Sequence, residues 1–316
     1  MNPVVRLGLK IASMPIFGVS KSYPLLRKAQ EAFAPELDKD EEDDFVLLDQ
    51  YLLSDDGESH VPIRVFVPKN ELKNGLIIFI HGGGFVTGNV DIYTVPCARL
   101  ATRTGRIVCS IDYALAPENP FPAGLEDCLE VTRELSDYFT AKNDPRLHPI
   151  TIMGDSAGGN LATTVARLLR EEEATGPDLQ ILLYPAVGND YTDSSPFPSV
   201  QEKGESYGLT AKNMQEYYEL YLPDPALLDD PRVSPLAAEN FSVLPPALIA
   251  TAEHDPLRDE GEYYGKVLAK AGVPAIVKRF ADVPHGFFSN PRIFPDENDA
   301  LLEMIKNFLD SWKCEK

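Results

Sequence analysis

Six short, continuous apolar runs constrain this chain more than any other feature: Gly75–Ile80, Ile107–Ile111, Ile150–Met153, Leu179–Leu183, Ala247–Ala250 and Ala275–Val277. A strand wetted on one face alternates apolar and polar residues. A strand buried on both faces, as in a parallel sheet, does not. Helical spacing separates the runs. Leu161, Val165, Leu168 and Leu169 share one helix face, as do Leu301, Ile305, Phe308, Leu309 and Trp312. Strands alternating with helices predict an α/β protein with a mostly parallel central sheet flanked by helices. Ligands of such sheets bind beyond the carboxyl ends of the strands. Upstream, Val46–Leu53 and Val61–Val67 flank the Asp56-Gly57 turn signal and predict a hairpin.

A length of 316 residues suits a single α/β domain with an insertion. The insertion is expected over residues 188–234, a stretch rich in Tyr, Pro and acids that contains a helical pattern at Thr210–Tyr221. With residues 1–43 it is expected to form a helical cap over the strand ends. The first twenty residues are interrupted by Lys10 and Pro15 and lack a small-residue cleavage site. They predict an amphipathic helix docked on the body. No stretch approaches the roughly 20 apolar residues of a membrane span. The acidic run Glu36–Asp44 is expected to be a solvated linker. The net charge of −20 excludes nucleic acid and anionic surfaces as partners. Cys97, Cys109, Cys128 and Cys314 form no C-x-x-C pair, and no histidine cluster has zinc spacing. They predict reduced, packed thiols in a cytoplasmic protein without a metal.

The chemistry is concentrated in Gly154-Asp155-Ser156-Ala157-Gly158, between an apolar strand and an amphipathic helix. In G-x-S-x-G at such a junction the chain turns sharply, and the glycines make room for a serine held strained at the tip. The helix N-terminus points its N–H groups at the same place. A purely structural turn is the alternative. His81-Gly82-Gly83-Gly84 follows another strand, and its glycines leave backbone N–H groups free to face a ligand. Gly83, Gly84 and Ala157 are the expected oxyanion donors. A dinucleotide fingerprint starting at Gly82 and Gly84 fails at Thr87, with Gly88 one residue late. No cofactor is predicted.

A serine needs a base to act as nucleophile. Of His60, His81, His148, His254 and His285, only the last two follow Ser156, as the chain order serine, acid, histidine requires. His285 lies just after the strand at Ala275–Val277 and is the preferred base. His254 adjoins the best acid and is expected to make local contacts; His60 and His148 are expected at the surface. The acid should end the strand Ala247–Ala250, where Glu253, Asp255, Asp259 and Glu260 are candidates. Asp255 is preferred and Asp259 held in reserve, since Asp259 and Glu260 suit the first turn of a helix.

Together these blocks, with Gly159-Asn160, Asp255-Pro256-Leu257-Arg258-Asp259-Glu260-Gly261 and His285-Gly286-Phe287, resemble the hormone-sensitive lipase-like carboxylesterases. Asp112-Tyr113-Ala114-Leu115-Ala116-Pro117-Glu118 resembles a further block of that family, with Ala114 replacing its usual arginine and Asn119 its common histidine. The resemblance covers roughly residues 45–316. It implies a capped α/β-hydrolase fold acting on small, short-acyl esters, with Ser156, Asp255 and His285 as the triad. Tyr113 and Glu118 are taken as support for the glycine loop. A homodimer through the edge of the last strand is implied by the resemblance alone. Three other activities are weighed. In a long-chain lipase, Tyr207, Tyr217, Tyr218 and Tyr221 would line an acyl pocket, although at helical spacing they also suit a cap core. An amidase or deacetylase would use the same triad. A non-catalytic small-molecule receptor on this scaffold is opposed by the presence of His285.

Overall fold

The computed structural model describes residues 1–14, 18–32, 34–53, 60–70, 72–142 and 148–312. The Asp56-Gly57 turn and Cys314 lie outside them. The strands are β1 (Phe45–Leu53), β2 (His60–Pro68), β3 (Leu76–Ile80), β4 (Ile107–Ile111), β5 (Ile150–Asp155), β6 (Leu179–Leu183), β7 (Ala247–His254) and β8 (Ala275–Pro284). The helices are α1 (Pro3–Ala12), α2 (Val19–Ala32), α3 (Lys39–Glu42), α4 (Thr94–Thr104), α5 (Ala123–Ala141), α6 (Ala157–Glu171), α7 (Pro198–Lys203), α8 (Ala211–Tyr221), α9 (Arg258–Lys270) and α10 (Pro295–Ser311).

All the strands join one sheet in the order β1-β2-β4-β3-β5-β6-β7-β8. β1 and β2 pair antiparallel, as do β2 and β4; every later pairing is parallel. Successive side chains of a strand leave on opposite faces, and β3 shows the result. Ile78 and Ile80 pack in one core with Leu161 and Val165 of α6. Ile77 and Phe79 pack in the other with Leu100 of α4 and Leu301 of α10. Fully burying each such side chain stabilises the fold by about 1.5–3 kcal/mol.

β5 runs two residues past its apolar run, to Asp155, and two strands run further still. β7 continues past Ala250 to His254, and β8 past Val277 to Pro284. β8 is the sheet edge, so one side and much of its face meet water, and Lys278 and Arg279 sit in it at no cost. A polar edge strand has no continuous apolar signature.

The acidic run is also more ordered than a linker. Its middle is α3, where the Glu41 carboxylate accepts from the Asp38 N–H at 3.1 Å. The first helix does contact the body: the Ser13 hydroxyl accepts from the Gly208 N–H at 2.9 Å, and the chain's amino group pairs with Asp282 at 3.2 Å. Yet none of its residues is fully buried, and Val4, Leu7 and Ile11 are exposed.

Residues 188–234 carry α7 and α8. The stem of this segment is tied at both ends by one amide: Asn160 Nδ2 donates to Ala186 O and to Val233 O, each at 2.7 Å. α2 packs against α8. Arg27 of α2 donates to Val86 O and Ala116 O, each at 2.7 Å, and to the Glu118 carboxylate. Among the described residues, no helix is long and apolar enough to cross a membrane.

Candidate active site

β5 ends at Asp155 and α6 begins at Ala157, leaving Ser156 alone to make the turn at φ 56° and ψ −120°. A non-glycine residue held in so sparsely populated a region costs about 1–3 kcal/mol. The flanking glycines are required by space. A Cβ on Gly158 would lie 2.0 Å from Ile80 O, and one on Gly154 would lie 2.2 Å from Gly158 O.

His285 follows β8 directly. Its Nε2 lies 2.8 Å from Ser156 Oγ, and its Nδ1 lies 2.8 Å from Asp255 Oδ2. Asp255 is fully buried beyond the end of β7, and its Oδ1 accepts from the Leu257 N–H at 2.9 Å. The edge of Tyr184 meets the His285 ring with centroids 4.8 Å apart. The structure therefore brings Ser156, His285 and Asp255 together at the carboxyl ends of β5, β8 and β7.

The reserve acid lies elsewhere: Asp259 accepts from the Ser199 N–H at 2.8 Å and pairs with Arg258 at 2.7 Å. His254 ends β7, stacked on Tyr207 with centroids 4.6 Å apart. His148, expected at the surface, is half-buried with Nδ1 3.0 Å from Asp178, because it precedes a central strand rather than an edge. His60 is the first residue of β2.

The glycine loop faces the same cavity, of about 160 Å³, which is lined by Gly83, Gly84, Ser156, Ala157, Tyr217 and His285 among others. Gly84 has φ +63°, and a Cβ there would lie 2.3 Å from the ring of Tyr217. Tyr113 donates to His81 O at 2.9 Å and stacks on the imidazole, while burial holds the His81 pKa low. Glu118 supports this region through Arg27.

Two buried carboxyls were not singled out by motif. Asp155 Oδ1 accepts from the Gly82 N–H at 2.7 Å, and Oδ2 accepts from Tyr93 at 2.9 Å and Tyr184 at 3.3 Å. Burial pushes its pKa up to about 6, against the pull of these donors and of His285. It therefore fixes the glycine loop to the serine turn. Nothing in G-x-S-x-G signals this, since x accepts any residue. Glu260 lies in the first turn of α9, as expected, and is also fully buried. Its Oε1 accepts from the Val187 N–H at 2.8 Å, the Gly188 N–H at 3.1 Å and the Tyr191 hydroxyl at 3.1 Å. Burial, with the Asp255 carboxylate nearby, pushes its pKa up to about 8. The start of α9 faces the stem of the insertion rather than water.

Among the described residues, one group has metal-ligand spacing, Glu253, His254 and Asp282, with ligand atoms within 4.8 Å of one another. Asp282 is already paired with the chain's amino group.

The profile of the α/β-hydrolase fold family matches residues 77–289. The chain is 33% identical over 285 residues to ethyl acetate hydrolase of Pseudomonas putida, covering 89% of this chain and 87% of that protein. It is 36% identical over 243 residues to esterase LipI of Mycobacterium tuberculosis, covering 75% and 74%. A hyperthermophilic esterase from the archaeon Pyrobaculum calidifontis superposes with a TM-score of 0.80 at 32% identity, over 98% of each chain. With this sheet, this strand-to-helix turn and these matches, the chain belongs to the α/β-hydrolase fold family. Within that family it is a member of the hormone-sensitive lipase-like branch, whose motif blocks it carries in order.

Proposed function

We propose that this protein is a serine carboxylesterase that cleaves small, short-acyl esters. One observation carries the reading: His285 bridges Ser156 and the buried Asp255 at 2.8 Å on each side. Ser156 attacks the ester carbonyl as His285 takes its proton, and Asp255 holds the imidazole tautomer and stabilises the imidazolium. The N–H groups of Gly83, Gly84 and Ala157 stabilise the oxyanion, where one donor contributes about 3–4 kcal/mol. His285 then protonates the leaving alcohol, and water repeats the sequence on the acyl-enzyme. The names of the relatives support ester hydrolysis, and the cavity of about 160 Å³ supports a short acyl group. The bridging His285 opposes the receptor reading.

Residues 1–43 and 188–234 serve as the cap of a single-domain enzyme, a reading supported by the packing of α2 on α8. Three buried free thiols, Cys97, Cys109 and Cys128, support a cytoplasmic location. The exposed Ile276 and Val277 on edge strand β8 support a homodimer through that edge.

The test is hydrolysis of p-nitrophenyl esters of increasing acyl length, with Ser156→Ala alongside. Activity greatest on short chains and reduced by several orders of magnitude in the variant is expected. A folded Ser156→Ala protein with near-normal turnover would overturn the assignment.

A further inference from the structure

The net charge of −20, which excludes an anionic surface for the chain as a whole, is not spread evenly. Residues 1–30 hold five basic residues, Arg6, Lys10, Lys21, Arg27 and Lys28, and no acid; all 49 acidic residues lie from Glu31 onward. This stretch carries α1 and all but the last two residues of α2. A surface helix ordinarily turns one apolar stripe to the core and polar residues to water. α1 instead has apolar residues on two sides. Val5, Leu9 and the following Ser13 are half-buried at a spacing of four, and this side meets the body at Gly208. Val4, Leu7 and Ile11 face water, with Val4 78% and Leu7 59% exposed. Arg6 and Lys10, one turn apart, lie beside that outer stripe. α2 repeats the pattern: Lys21, Leu25 and Lys28 share its outer face, and Leu25 is 70% exposed. Among the described residues, Arg6, Lys10, Lys21 and Lys28 pair with no acid, whereas Arg27 is taken up by Val86, Ala116 and Glu118.

We propose that the outer faces of α1 and α2 form a docking surface for an anionic lipid bilayer. The combination of features selects this occupant. An apolar stripe flanked by cations suits a helix lying in the plane of a lipid interface, where the stripe enters the acyl boundary and the cations meet the headgroups. A purely apolar partner would leave Arg6, Lys10, Lys21 and Lys28 without counter-charges. A soluble polyanion would leave Val4, Leu7 and Leu25 in water. The acids of the body oppose docking only weakly, because at physiological salt charges are screened beyond about 8 Å. The surface lies on the cap side of the molecule: Gly208, which α1 touches, adjoins Leu209 in the wall of the cavity at Ser156. Docking therefore carries the cap to the lipid.

The test is co-sedimentation of the protein with two kinds of vesicle, at low and at high salt. One kind is phosphatidylcholine alone, and the other is equal parts phosphatidylcholine and phosphatidylglycerol. Wild type is expected to sediment with the anionic vesicles at low salt, to release at high salt, and to leave the neutral vesicles unbound. Arg6→Glu combined with Lys10→Glu should weaken binding by about 25-fold or more, since each basic residue near such a surface is worth about fivefold. Val4→Gln combined with Leu7→Gln should weaken it by about tenfold or more through lost apolar burial. Lys278→Glu, at an exposed position on β8, is the control for overall charge and should bind as wild type does. Thermal melts show that each variant is folded. Absence of wild-type binding to the anionic vesicles at low salt overturns the proposal. So does equal binding to both kinds of vesicle, full binding by either double variant, or an equal loss in Lys278→Glu. A dimer that Val4→Gln with Leu7→Gln dissolves, without any vesicle binding, also overturns it and assigns the surface to a second copy of the chain.

Discussion

Two carboxyls at the site invite substitution with opposite expectations. Asp255 touches His285, whereas Asp259 is spent on Ser199 and Arg258. Asp255→Asn should lower kcat by about ten-thousandfold, because the amide holds the wrong imidazole tautomer. Asp259→Asn should remain active, and steady-state kinetics of the pair will separate the roles. Asp155 offers a pH signature. Its ordinary pKa of 3.8 is raised to about 6 by burial. The folded chain therefore holds this proton more tightly than the unfolded chain does. Stability from this group is full below the ordinary value, falls as pH rises through the window, and levels off above about 6. Asp155→Asn cannot ionise, yet its amide oxygen still accepts from Gly82. From about pH 4 to about pH 7, the stability of this variant relative to wild type should rise by about 2 kcal/mol. Thermal unfolding at the two ends of the window measures it.

At the level of elements, the stem of the insertion is held by Asn160 from α6 and Glu260 from α9. Asn160→Ala strands two buried carbonyls and should cost about 2–4 kcal/mol in a denaturant melt. Glu260→Gln keeps an oxygen for the Val187 and Gly188 N–H groups and should cost less than Glu260→Leu, which leaves both unpaired. These contacts also mark the limit of what the sequence discloses. The central strands were legible because burial on both faces writes a continuous apolar run, and β1 and β2 because they flank an Asp-Gly turn signal. That Ser156, His285 and Asp255 would lie together could be expected because a strained turn needs glycines and because chain order restricts the partners. The lengths of β7 and β8 were not legible, since a polar strand end has no signature. Neither were the tasks of Asp155, Asn160 and Glu260: their partners lie far along the chain, and those partners are backbone groups and tyrosines that no spacing reveals.

For the whole molecule, β8 is the last strand of the sheet among the described residues, with Ile276 53% and Val277 39% exposed. If that edge joins two copies, the protein should elute as a dimer in size-exclusion chromatography, and Ile276→Lys should shift it to monomer by placing a charge on the edge. Elution of wild type as a monomer would remove the dimer. The attachment of the insertion has a further consequence. Its two ends leave the body so near one another that a single amide reaches both. A loop whose ends already meet adds little closure entropy when it lengthens. Replacing the segment with one of different length should therefore leave the stability of the sheet beneath it little changed.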